Sequence, residues 1–254
     1  MTPLRVGTER DGAVVRLTLA RPKGNVLDAE MVGALRGAIG QILPEGPVKL
    51  VVVDHDGPHF SFGASVEEHL PGRVARMLHD FHRMFRDLEG LGIPTAAVVR
   101  GQCLGGGLEL AIACGRVFVH PDSKLGLPEV KLGVFPPLGA VLLPFRVRMA
   151  DAVELVLSGA TVDGRSAVGL GLADEVADDP WAACLAWFDQ RLAAHSATAV
   201  RAAWRAVRRP VARALGEELA AVENLYLEDL MHHRDPVEGL RAFVEGRPPV
   251  WEHA

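Results

Sequence analysis

A chain of 254 residues is long enough to bury a substantial core, as one large domain or two smaller ones. Its 27 basic and 32 acidic residues leave a net charge of -5, which gives no support to a nucleic-acid or anionic-membrane partner. Three scattered cysteines, Cys103, Cys114 and Cys184, form no CxxC pair, so neither a disulfide framework nor a structural zinc site is expected.

No apolar signal region opens the chain and no apolar run is long enough to span a bilayer, so a soluble, cytoplasmic protein is expected. Ala13 to Leu19 alternates as a strand does and ends at Arg21-Pro22. Asp28 stands where a helix N-cap belongs, ahead of Met31, Leu35 and Ile39 on one helical face. Val48 to Val53 is a nearly continuous β-branched run closing on Asp54, the pattern of a strand buried on both faces of a parallel sheet. A helix follows Pro71, with Met77, Phe81, Met84, Phe85 and Leu88 at helical spacing, and is stopped by Pro94. Thr95 to Val99 is another short buried strand. The glycine loop Gly101 to Gly107 leads into an apolar helix from Leu108 to Cys114, and Val117 to His120 resumes the strand pattern. Strand and helix alternate with short connections, as in the crossover units of a mostly parallel sheet.

After about residue 148 the strand signals fade. Ala152 to Leu157, Trp181 to Ala194, Ala197 to Val207 and Arg213 to Met231 read as helices, and Trp181, Trp187 and Trp204 fit core positions on them. The fold class is therefore α/β, followed by a helical portion that packs on its own core or on another subunit.

Two loops follow buried strands: His59-Phe60-Ser61-Phe62-Gly63-Ala64-Ser65 and Gly101-Gln102-Cys103-Leu104-Gly105-Gly106-Gly107. Small residues there let backbone N–H groups face a ligand, and the helix after the second loop adds partial positive charge. Two such amides can hold a thioester oxygen as it becomes an enolate; each loop alone reads equally as a tight turn. Glu109 lies in the first turn of that helix between apolar neighbours. Burial would raise its pKa and the helix terminus lower it, and the sequence leaves open which wins. Glu129 follows in Gly126-Leu127-Pro128-Glu129-Val130. Two carboxyls at one site can divide the work, one taking a proton from water and the other giving one to carbon.

These residues resemble the crotonase (enoyl-CoA hydratase/isomerase) family. Gly105-Gly106-Gly107-Leu108-Glu109-Leu110-Ala111 with Gly126-Leu127-Pro128-Glu129-Val130-Lys131-Leu132-Gly133 is similar to its central signature. Phe62-Gly63-Ala64 resembles its first oxyanion-hole segment, and Asp235 to Phe243 its closing helix. The resemblance implies a spiral of ββα units over residues 1–190 and a helical C-terminal trimerisation region over 191–254. It implies coenzyme A thioesters as substrates, assembly as a trimer or dimer of trimers, and no cofactor beyond the substrate's own coenzyme A. The Ala64 and Gly106 amides would bind the thioester oxygen, and Glu109 and Glu129 would be the acid/base pair of a hydratase. Lys23, Asn25, Val26, Leu27, Phe62, Gly63, Ser65, Val66, Gly105 and Pro137 would line the CoA and acyl pocket.

The chain departs from the family's pattern at two places. Pro137 stands where many members have a glycine whose amide positions the attacking water, and proline has no N–H. Glu67 stands where many have a lysine near the CoA phosphates, which leaves Lys23 as the candidate cation. With Lys23 to Asp28, Gly57 to Val66 and Gly101 to Gly107, these features resemble the branch of the family that hydrates cyclohexa-1,5-diene-1-carbonyl-CoA to 6-hydroxycyclohex-1-ene-1-carbonyl-CoA in anaerobic benzoyl-CoA degradation. A general 2-enoyl-CoA hydratase is the alternative.

Two other classes fit less well. A dinucleotide-dependent oxidoreductase would need GxGxxG, which Gly101-xxx-Gly105-Gly106-Gly107 is not; Glu109 would also oppose a pyrophosphate, although Asp122 falls near where a ribose-binding acid belongs. An RNA-binding or scaffold role finds no basic surface in the composition. His79 and His82, and His232 and His233, suit a polar helical face better than a metal site. Cys103 has no histidine to activate it, and Glu67 and Glu68 read as a solvated pair.

Overall fold

The computed structural model describes residues 2–43 and 45–254. β1 (Leu4–Glu9) pairs antiparallel with β2 (Val14–Leu19). α1 (Ala29–Gln41) starts at Asp28, whose carboxylate accepts the Met31 amide at 3.0 Å; Met31, Leu35 and Ile39 form its buried face. β3 (Leu50–His55) begins and ends two residues later than expected. The strand runs through Asp54 because Arg16 and Arg100 both meet its fully buried carboxylate, so the charge does not end it.

α2 (Val74–Gly90) and β4 (Thr95–Val99) follow the sequence pattern, with the helix ending ahead of Pro94. The glycine loop is not all loop. Gln102–Leu104 is a strand, β5, and only Gly105 separates it from α3 (Gly106–Ala113). β6 (Arg116–Val119), β7 (Lys124–Gly126), a 3-10 turn at Pro128–Leu132, α4 (Pro137–Leu142) and α5 (Met149–Ser158) come next. Two short strands lie beyond residue 148, where none was expected: β8 (Thr161–Asp163) and β9 (Glu175–Val176), with α6 (Gly164–Leu170) between them. Both are completed by partners far away in the chain.

The strands form two sheets. The wide sheet has the order β1-β2-β3-β4-β6-β9 and is parallel from β2 onward; the narrow one has the order β5-β7-β8. Isolated parallel bridges, Leu27 with Ala64 and Ser61 with Cys103, extend the narrow layer backward. Each turn of chain thus places one strand in the wide sheet and a short segment in the narrow layer before its helix. This is a spiral of ββα units. Alternation along β3 buries both faces of the wide sheet: Leu50 and Val52 face Cys184 and Phe188 of α7 (Pro180–Arg191), while Val51 and Val53 face the main core.

α8 (Ala197–Gly216), α9 (Glu218–Asn224), a π-helical turn at Leu225–Asp229 and α10 (Arg234–Glu245) complete the chain. α8 extends well past Val207, with Pro210 exposed on its outer side, and the helix expected over 213–231 is divided among the end of α8, α9, the π turn and a 3-10 turn at Leu230–His232. These elements fold back on the chain's own core: α8 on α2, α9 on α4, and α10 on the 3-10 turns at Val66–His69 and Pro128–Leu132. His82 does not lie on a polar face. It is fully buried, and its Nδ1 meets Glu223 Oε2 of α9 at 2.6 Å. Among the described residues no helix is long and apolar enough to cross a membrane, and no group of three or more His, Cys, Asp or Glu is placed to hold a metal.

Candidate active site

The narrow layer brings both loops to one place. Ser61 N–H donates to Gln102 O at 3.1 Å and Leu104 N–H to Ser61 O at 3.0 Å, so the first loop is sewn to β5. Gly63 has φ +100, and a Cβ on it would lie 2.8 Å from Leu104 O and 3.2 Å from Gly106 N. A Cβ on Gly106 would lie 3.1 Å from Ala64 N. The Ala64 and Gly106 amides therefore sit side by side, and neither donates to an acceptor among the described residues.

Glu109, one turn into α3, is 3% exposed. Its Oε1 accepts the Gly139 amide at 2.7 Å, at the start of α4. Burial pushes its carboxyl up to about 7, while the Gly139 and Leu138 amides pull the other way. Burial outweighs the helix terminus here. Glu129 comes from the 3-10 turn after β7, with Oε1 against Gly105: a Cβ there would lie 2.8 Å from it. Oε2 of Glu129 is buried with no hydrogen-bond partner among the described residues. Burial first, and Glu109 second, hold this carboxyl well above the usual carboxylate range.

Between the loops and Glu129 lies a cavity of about 60 Å³, lined by Phe62, Gly63, Ala64, Val66, Gly105 and Gly106. His69, Leu132, Val134 and Leu240 close its far side, so the site draws on α10 as well as on the spiral. Beside it a larger cavity of about 480 Å³ opens between α1 and α2, lined by Leu27, Arg73, Arg76, Met77 and Phe81.

The remaining residues of the expected pocket fall into two groups. Phe62 is 45% exposed at the cavity's edge, its ring lying over Gly24, and Val26 and Ser65 are half-buried nearby. Lys23 is exposed on the neighbouring loop, with φ +64. Asn25 does not face a ligand: it is 1% exposed, and its side chain accepts from Arg21 N and donates to His59 O and Asp56 O. It holds the two loops in register. Leu27 likewise anchors its loop, its amide donating to Gly63 O at 2.9 Å. Pro137 is buried as the first residue of α4, where no N–H is needed, and the helix amides behind it turn to Glu109. Glu68 is not simply solvated, since its Oε1 accepts the Ala29 amide at the start of α1.

Sequence reasoning missed three residues here. His69 lines the cavity with its Nδ1 on Ser65 O, Leu240 reaches it from α10, and Tyr226 is buried behind Val134 with a hydroxyl that has no partner among the described residues. The one available signal was that Tyr226 is the single tyrosine of the chain.

A ββα spiral that sets two amides without acceptors beside one buried carboxyl, with a second carboxyl close enough to raise it, is the arrangement of an acid–base enzyme acting on a carbonyl compound. The model of the enoyl-CoA hydratase/isomerase family matches residues 9–254, and the chain belongs to that family. It is 48% identical over 252 residues to the cyclohexa-1,5-dienecarbonyl-CoA hydratase of Thauera aromatica, covering 99% of this chain and 98% of that protein. It is 35% identical over 211 residues to the enoyl-CoA isomerase/hydratase of Mycosarcoma maydis, covering 80% of this chain and 76% of that one. A crystal structure of an enoyl-CoA hydratase from Mycobacterium avium subsp. paratuberculosis K-10 matches the fold with a TM-score of 0.84 at 25% identity, over 98% of both chains.

Proposed function

We propose that this protein is an acyl-CoA hydratase whose substrate is cyclohexa-1,5-diene-1-carbonyl-CoA and which uses no cofactor. The observation that carries the reading is the pairing of Glu109 and Glu129, both raised above the usual carboxylate range by burial, with the Ala64 and Gly106 amides, which have no acceptor among the described residues. The relative from Thauera aromatica, alike over almost the whole chain, supports the choice of substrate.

In this reading the thioester oxygen lies against the Ala64 and Gly106 amides, which take up the charge that develops on it. Glu109, whose anion is favoured by the Gly139 amide, takes a proton from water, and the hydroxide adds to the ring carbon β to the thioester. The electron pair moves into a dienolate spread over the thioester and the second double bond. Glu129 returns a proton at the far end of the diene, which leaves one conjugated double bond and gives 6-hydroxycyclohex-1-ene-1-carbonyl-CoA. A simple enoyl thioester would instead be protonated on the carbon next to the carbonyl. We assign the CoA phosphates to Lys23, and the acyl and pantetheine walls to Val26, Leu27, Phe62, Gly63, Ser65, Val66, Gly105 and Pro137. We also assign catalysis chiefly to residues 1–190 and self-association into trimers to 191–254; sedimentation at the monomer mass alone would contradict that assembly.

The substrate is tested by assaying purified protein side by side on cyclohexa-1,5-diene-1-carbonyl-CoA and crotonyl-CoA. A clear preference for the diene in kcat/KM is expected. A preference for crotonyl-CoA would return the enzyme to the general enoyl-CoA hydratases.

A further inference from the structure

Tyr226 stands in the π-helical turn Leu225–Asp229, a rare geometry that recurs at functional sites. Its ring is fully buried in one apolar cluster with Val74, Leu78, Val134 and Leu240, and meets Phe135 edge-on at 5.3 Å. Its hydroxyl has no hydrogen-bond partner among the described residues, and neither has Oε2 of Glu129. A buried hydroxyl left unpaired costs about 1–3 kcal/mol. If this position only filled space, phenylalanine would serve it better.

The surroundings give the hydroxyl a purpose. Val134 and Leu240 of the Tyr226 cluster also line the small cavity beside Glu129. The segment carrying the tyrosine is fixed on both sides: Glu223, three residues earlier, meets the buried His82 of α2 at 2.6 Å, and α9 packs on α4, whose Gly139 amide holds Glu109. The cavity's 60 Å³ or so has room for a water or two.

We propose that Tyr226 is a positioning residue of the active site, its hydroxyl donating through one bridging water to Oε2 of Glu129. The inference rests on Glu129 being the acid of the pair. Burial, and after it the carboxyls of Glu129 and Glu109, keep the phenol far above its usual range, so it is a donor at every working pH and never a base. The other titratable group at the cavity is His69, whose half-buried ring is held below its usual pKa by desolvation; the partners from α2, α10 and Phe135 are apolar. Glu129 becomes a carboxylate when it gives its proton to carbon, and its Oε2 has no donor among the described residues to stabilise that charge.

Tyr226→Phe keeps the ring and its stack on Phe135 and removes only the donor. Its kcat should fall about 10- to 100-fold, the worth of one hydrogen bond to a charged group, with KM little changed. The upper limb of the pH profile should move to higher pH, because Glu129 loses a stabiliser of its anion, and Tm should stay the same or rise. A kcat within two-fold of wild type and an unmoved limb would overturn the proposal. Glu129→Gln, measured alongside, separates the two layers. If it is inactive while Tyr226→Phe is not, only the role of Tyr226 falls. If it keeps its turnover, the acid–base reading falls and this inference with it.

Discussion

Glu109 and Glu129 are both lifted by burial, but different partners surround them. The amides of Gly139 and Leu138 offset part of the effect at Glu109 and leave it at about 7. Glu129 has little to offset its burial and is pushed further by Glu109. Glu109 is thus the readier of the two to give up its proton and Glu129 the readier to keep it, which is the division of labour hydration requires. The rate of hydration should rise as Glu109 ionises near pH 7 and fall again as Glu129 does, a bell whose two limbs belong to the pair as a whole. Replacing either acid by glutamine should lower kcat about 100- to 10,000-fold. A flat pH profile, or a loss of only a few-fold, would contradict the assignment. Glu109 was legible because its apolar flanks signalled burial in a first helical turn. Tyr226 and His69 were not, because their neighbours in sequence say nothing of the cavity that His69 lines or of the Val134 and Leu240 cluster that sets Tyr226 behind it.

The elements of the spiral were legible in proportion to their length. α1, α2 and β4 carry five or more periodic residues each, so local pattern decides them. β5, β8 and β9 have two or three residues and exist only through partners elsewhere in the chain, which no local window contains. The polar reading of His82 failed for a related reason: its partner Glu223 is 141 residues away. The narrow layer depends on glycine where the chain passes a carboxyl. Gly105 has φ +53 and ψ -129, a conformation strained for other residues, and a Cβ on it would lie 2.8 Å from Glu129 Oε1. Gly105→Ala should therefore displace Glu129 and lower kcat about 10-fold or more, with far-ultraviolet circular dichroism unchanged. Wild-type activity in that variant would mean that the Glu129 carboxyl has freedom the packing does not suggest. Gly115 plays the corresponding part at the back of the core, where the Trp204 ring of α8 occupies the place a Cβ would take.

At the scale of the molecule, two buried acids make stability oppose function. Below their ordinary value of 4.5 both carboxyls are protonated whether the chain is folded or not, and neither costs anything. As pH rises, the unfolded chain releases these protons while the folded one retains them. Stability must therefore fall over that window, from about 4.5 to about 7 for Glu109 and further for Glu129. A glutamine at position 129 carries no proton to lose in either state, so it removes that residue's share of the slope and leaves only Glu109's. Glu129→Gln should melt with the wild type near pH 4 and at a higher temperature than the wild type at pH 8, while losing its turnover. Thermal melts of both proteins at the two pH values decide this. Equal melting temperatures at pH 8 would mean that the folded protein releases the Glu129 proton as readily as the unfolded chain does. Such a carboxyl could not serve as the acid at neutral pH, so the same experiment weighs the mechanism from the side of stability, without any substrate.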